Sequence, residues 1–160
     1  MALGKVDSLN AQLGMLLAEA LVRQGYVRTE QWLFLASIQN ALFNLGAELV
    51  TGNSYLTEED LEVLEVESEG INLTLPPLTE FVLPRGSEAV CQAHICRTTA
   101  REAECLLVAA GDAVSPLILR YINRLSDYFF NLARFYSDVS RECVWTKAMV
   151  GVSALEKDQS

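Results

Sequence analysis

The sequence predicts an all-α protein built as an up-and-down bundle of five helices. Three observations carry that expectation. Apolar residues recur at three- and four-residue spacing along most of the chain, and alternating strand patterns are missing. Good N-cap residues open the periodic segments, and glycine or proline punctuates their ends. The chain has 160 residues with 51% hydrophobic and 21% charged, enough for one domain with a core of its own. Residues 1–154 are expected to form that domain, followed by a polar tail over 155–160.

The first helix is read from Asp7 to Gln24, with Leu9, Leu13, Leu16, Leu17, Ala20 and Leu21 on one face. Asp7 or Ser8 is its expected cap and Gly25 its stop. Thr29 caps a second helix that runs to about Val50. Its expected stripe is Trp32, Leu35, Ala36, Gln39, Leu42, Phe43, Gly46 and Ala47. Thr57-Glu58-Glu59-Asp60 begins a third, with acids favoured by the helix dipole in the first turn. It is expected to end near Gly70. Leu75-Pro76-Pro77 starts an extended connection, because a residue before proline avoids the α region. Ser87 opens the fourth helix, which reaches about Ala110. Ser115-Pro116 opens the fifth, with proline at the first helical position, and that helix is read to about Ser140.

Charge narrows the function. Acids outnumber bases 21 to 12, a net charge of −9, which argues against nucleic acid and anionic membranes as partners. No apolar run approaches the roughly 20 residues of a membrane span, and no signal-type segment opens the chain. A cytoplasmic location is expected. No Cys-x-x-Cys pair occurs. Cys91 and His94 share a helix face that Cys96 does not, so no metal site is expected there.

Two polar stripes stand out against this acidity. The fourth helix carries His94, Arg97, Arg101 and Glu104 on one face, beside an apolar stripe of Val90, Ala93, Ile95, Ala100 and Val108. The fifth carries Arg120, Arg124, Asp127, Asn131 and Arg134, with Asn123 alongside. Solvent faces are usually Glu/Lys mixtures, whereas these stripes lack lysine. Either an anion or a polar subunit interface faces them, or they close salt bridges within the chain.

Several segments in register give a resemblance. Phe81-Val82-Leu83-Pro84, then His94-x-x-Arg97-x-x-x-Arg101-x-x-Glu104, then Asn123-Arg124-Leu125-Ser126-Asp127 follow Val6-Asp7-Ser8-Leu9-Asn10 and Ile38-Gln39-Asn40. Over about Gly4–Tyr136 the chain resembles the PduO-type ATP:corrinoid adenosyltransferases. The resemblance implies a homotrimeric bundle with sites between subunits. It also implies transfer of the 5′-deoxyadenosyl group of ATP, as its Mg²⁺ complex, to Co(I) of cobalamin. Phe81 would press on the lower face of the corrin, and Arg97 would pair with Asp7 of a neighbouring subunit. Arg101 would grip the phosphates, Glu104 would order ATP or its Mg²⁺, and Asn123 would bond the nucleotide, with Arg124 and Asp127 in support.

Departures from the family pattern set a competing expectation. The family's Gly-rich triphosphate segment would precede the first helix, and it is not in the sequence before Asp7. Glu102 stands where a second arginine is usual, an exchange that at an anion site costs about 2–5 kcal/mol. These features predict weakened ATP binding. Their extreme outcome is a trimeric corrinoid-binding or interaction protein without catalysis.

Overall fold

The computed structural model describes residues 1–137 and 142–145; the expected tail over 155–160 lies outside them. In chain order the helices are α1 (Ala2–Arg23), α2 (Glu30–Thr51), α3 (Glu58–Asn72), α4 (Glu88–Ala109) and α5 (Pro116–Tyr136), with a 3₁₀ turn at Gly111–Ala113 before α5. Three expected caps are in place. Thr29 accepts from the Trp32 N–H, Ser87 from Val90 and Ser115 from Ile118. Thr57 and Asp60 form a reciprocal capping box, each side chain taking the other's backbone N–H.

Two boundaries differ from the sequence reading. α1 already begins at Ala2, so Asp7 and Ser8 lie inside the helix rather than capping it. The apolar rhythm extends upstream through Val6 and Leu3, and packing overrides the local capping preference of Asp and Ser. α5 ends at Tyr136, because Ser137 is extended (φ −75°, ψ 145°).

Cross-helix contacts give the directions. Asn10 and Gln39 exchange amide-to-carbonyl bonds of 3.2 and 3.3 Å, which sets α1 antiparallel to α2 together with Trp32 Nε1 donating to the Leu17 carbonyl. Gln92 donates to the Gln12 carbonyl and Thr99 to the Gln12 side chain, clasping α4 on α1. α5 runs antiparallel to α4 and parallel to α3. The core is drawn from every helix, with Leu9, Leu13, Leu16, Leu35, Leu45, Leu64, Leu107, Tyr128 and Phe129 fully buried.

The expected apolar stripe of α5 is buried in full: Ile118, Ile122, Leu125, Phe129, Leu132 and Tyr136. That of α4 is not. Ile95 and Val108 are 44% and 58% exposed, while the expected Val90, Ala93 and Ala100 are buried together with Ala89, Cys96, Thr99, Ala103 and Leu107. α4 packs against α1 on one side and α5 on the other, and small residues allow both approaches. Phe43 on α2 is likewise 69% exposed. α2 is long and apolar enough to cross a membrane by length and composition. Core helices share both properties, and its Leu35, Ile38, Leu42 and Leu45 are buried in the bundle.

One buried acid ties the turns together. Glu48 is 8% exposed; its Oε2 accepts the N–H groups of Tyr55 and Leu56 at 3.2 and 3.3 Å, and its Oε1 accepts the hydroxyl of Ser115 at 2.9 Å. It thus satisfies the loop before α3 and fixes the hydroxyl that caps α5. Glu48→Ala leaves these donors unpaired, and a loss of about 2–4 kcal/mol is expected in urea unfolding, with Glu48→Gln losing less.

Candidate functional site

The connection from α3 to α4 positions the first candidate. Pro76 and Pro77 keep it extended, and Val82 pairs in an isolated antiparallel bridge with Val144. The Leu83 N–H donates to the Cys143 carbonyl and the Trp145 N–H to the Phe81 carbonyl, both at 2.7 Å. Arg85 donates to Cys143 Sγ. At Gly86 (φ 154°) a Cβ would lie 3.0 Å from Val90 Cγ1, so the strap can turn into α4 only through glycine. The result is a short strap of two bridged segments that presents Phe81 at 75% exposure, edge-on to Trp145 with ring centroids 6.3 Å apart. An aromatic ring held outward on a doubly bonded strap is placed to meet a flat apolar surface.

Polar groups follow on α4. His94 is 4% exposed, and its Nδ1 accepts from Arg97 Nε–H at 3.2 Å. Nδ1 is therefore unprotonated and the neutral ring carries its proton on Nε2. Burial first, and then the Arg97 charge, push the His94 pKa down from 6.5 to about 4. The Arg97 pKa is lowered as well, by burial and then by Arg101. Among the described residues neither Arg97 nor Arg101 has a carboxylate partner. Further along, Asn123 Nδ2 of α5 donates to Glu104 Oε1 at 2.9 Å. Asp7 lies exposed on α1 and makes no ion pair among the described residues.

The sign of the His94 effect gives a prediction. Above pH 6.5 the ring is neutral in both folded and unfolded chains. Between 6.5 and about 4 the unfolded chain takes up a proton that the folded one refuses, so stability falls as pH falls through that window. A loss of about 1–2 kcal/mol by pH 5 is expected for the wild type relative to His94→Asn, read by urea titration at each pH.

The fifth-helix stripe resolves largely into salt bridges within the chain. Arg120 NH1 donates to both carboxylate oxygens of Glu58 at 3.1 and 3.2 Å, and Arg124 meets Glu65 at 3.0 Å and Asp127 at 3.5 Å. Arg134 meets Glu142 at 3.0 Å. The acid-rich third helix supplies the first two partners, a pairing that helical periodicity alone could not assign. Successive residues on a helix point about 100° apart, so Asn123 leans towards α4 while Arg124 and Asp127 face α3. There they line a groove of about 510 Å³ with Glu65, Ser68, Phe130 and Asn131. One chain therefore does not gather every candidate in one place.

Sequence reasoning missed Trp145, Glu142 and Lys5. Trp145 is one of two tryptophans in the chain, and its rarity past the last helix was the available signal. Lys5 Nζ lies 2.9 Å from Glu102 Oε1. The negative charge expected beside Arg101 is thus matched by a lysine one helix away. No group of His, Cys, Asp and Glu suited to a metal ion occurs among the described residues.

A family model described as cobalamin adenosyltransferase matches residues 1–136. The chain belongs to the cobalamin adenosyltransferase family. Within it, the chain is 43% identical over 136 residues to a cobalamin adenosyltransferase of Cupriavidus metallidurans, covering 83% of this chain and 71% of the relative. It is 37% identical over 137 residues to the corrinoid adenosyltransferase of Bacillus subtilis, covering 82% and 70%. Among solved structures, a variant of the PduO-type ATP:corrinoid adenosyltransferase of Lactobacillus reuteri complexed with cobalamin and ATP superposes with a TM-score of 0.74. That match has 26% identity and covers 91% of this chain and 82% of the other.

Proposed function

We propose that this adenosyltransferase-family chain transfers the 5′-deoxyadenosyl group of ATP to Co(I) of cobalamin and releases triphosphate. In this reaction the reduced cobalt attacks C5′, a cobalt–carbon bond forms, and the C5′–oxygen bond breaks. The bonding pair leaves with the triphosphate. Co(I) is itself a strong nucleophile, so no protein nucleophile or base is required, and the bundle's task is positioning and charge balance.

The observation that carries the reading is the pair of guanidinium groups on α4, Arg97 and Arg101, without carboxylate partners among the described residues, in a chain of net charge −9. Cations left uncompensated in an acidic protein await an anion. Arg101 is assigned to the triphosphate. Arg97, held by His94, is assigned to Asp7 of a neighbouring subunit, and the homotrimer that the family resemblance implies would place the sites between subunits. Asn123 fixes Glu104 through Oε1 and leaves Oε2 to order ATP or the Mg²⁺ it brings. Arg124 and Asp127 act at a distance, by locking α5 to α3. Phe81 presses on the lower face of the corrin and displaces the axial ligand there, and four-coordinate Co(II) is the easier state to reduce. A cytoplasmic location fits substrates of this kind.

The test is direct. Cob(I)alamin made under strong reductant, with excess ATP and Mg²⁺, should yield adenosylcobalamin by its absorbance change, from a species of three 17.7 kDa chains by light scattering. Corrinoid binding without product would favour the non-catalytic reading instead. The pairing of Glu102 with Lys5 speaks for the enzyme, since the repulsion on which that alternative drew is offset.

A further inference from the structure

The end of α5 holds a buried cation for which the reaction described above has no use. Arg134 is 4% exposed. Its Nε–H donates to Glu142 Oε1 at 3.0 Å and an NH2 hydrogen to Oε2 at 3.4 Å, while the same NH2 donates to the Pro76 carbonyl at 3.1 Å. The side chains of this ion pair are only 5% and 8% exposed. Desolvating two charges contributes little net stability, so such a pair is better explained by the geometry that it imposes. Here one guanidinium grips both segments of the strap. Pro76 lies on the connection that leads to Phe81, and Glu142 opens the segment that bonds Phe81 and Leu83.

The Phe81 ring itself has no core packing to hold it. At 75% exposure it stands edge-on to Trp145, which belongs to the segment anchored by Glu142. The height of the ring above the bundle is therefore set by backbone bonds between the two segments and by the Arg134 fork beneath them. The space enclosed by Val82, Val90, His94, Ala133, Arg134 and Glu142 is too tight to admit a water molecule, so the strap has little room to settle inward.

We infer that Arg134, through its buried pair with Glu142, is a positioning residue that fixes Phe81 at the height needed to displace the lower ligand of the corrin. The inference rests on the functional reading above. It places the residue outside any contact with substrate, and it separates ligand displacement from ATP binding.

The experiment uses Glu142→Gln, which keeps size and one acceptor, and Arg134→Lys, which keeps charge but loses the fork. Each is mixed with cob(II)alamin and saturating ATP, and the four-coordinate fraction is read by electron paramagnetic resonance. Both variants should lower that fraction and kcat on cobalamin about tenfold, with KM for ATP within twofold of wild type. On cobinamide, which has no tethered lower base to displace, Glu142→Gln should regain wild-type kcat. An unchanged four-coordinate fraction overturns the inference, and so does an equal loss on both corrinoids, which marks a merely structural pair. A wild type that binds ATP and corrinoid but never forms the four-coordinate species overturns the functional reading first, and this inference with it. Should Arg134→Lys fail to fold, the Glu142→Gln comparison between the two corrinoids still decides.

Discussion

Phe81→Ala should lower kcat on cobalamin about a hundredfold and leave the melting temperature within about 2 °C of wild type. The two halves of this expectation have separate causes. The ring is 75% exposed and touches Trp145 rather than the core, so its removal opens no cavity and exposes little new apolar surface. Its backbone bonds to the second segment use main-chain atoms and survive the substitution. The lost function is steric. With alanine, nothing occupies the space below the corrin, the lower ligand stays on cobalt, and the harder reduction of five-coordinate Co(II) limits turnover. Misplacement of a reacting group by about 1 Å costs on the order of a hundredfold, and complete loss of the wedge costs at least as much. Phe81→Leu should recover part of the rate, because bulk and apolarity matter more than the ring's quadrupole. Steady-state kinetics with cob(II)alamin and a flavin-type reductant measures this; a kcat within threefold of wild type removes Phe81 from the mechanism.

Much of the bundle was legible because its information is local. Thr29, Thr57, Ser87 and Ser115 start the helices where a cap is expected, and Gly52 and Gly86 take positive φ where a turn needs it. α5 buries every residue of its expected apolar stripe, although the helix ends at Tyr136 rather than near Ser140. α4 is legible only in part because it is sandwiched: Val90, Ala93 and Ala100 pack inwards as expected, but small Ala103 and polar Thr99 join them, while Ile95 and Val108 face out. Helical spacing also grouped Asn123 with Arg124 and Asp127, though a step of one residue sends them to different neighbours. The strap was visible only as an oddly apolar loop. Its second segment, with Glu142 and Trp145, is long-range information that a sequence pattern does not carry. The charges show the same divide. Nothing local in the sequence distinguishes Arg101, which pairs with no carboxylate among the described residues although Glu102 follows it, from Arg120, which pairs with Glu58.

That distinction sets the second large expectation. Arg101→Ala should reduce kcat/KM for ATP by about 100- to 1000-fold, the size of effect seen when one donor to a developing anion is removed. As the C5′–oxygen bond breaks, negative charge grows on the departing triphosphate, so a cation held against it acts more strongly in the transition state than in the bound substrate. Arg101 is free for this task because no carboxylate among the described residues claims it. Arg101→Lys should recover only part of the loss, since an ammonium replaces a planar fork. Stability should move the other way. Arg101 is exposed and contributes to the electrostatic pressure on Arg97, so its removal relieves a repulsion, and the melting temperature should hold or rise slightly. Arg120→Ala provides the contrast: its exposed pair with Glu58 contributes at most about 1 kcal/mol, and ATP kinetics should be unchanged. If both variants lose the same activity, the uncompensated charge on α4 has no special role. If only Arg101→Ala loses it while the fold is intact, then Arg101 is the cation that meets the triphosphate.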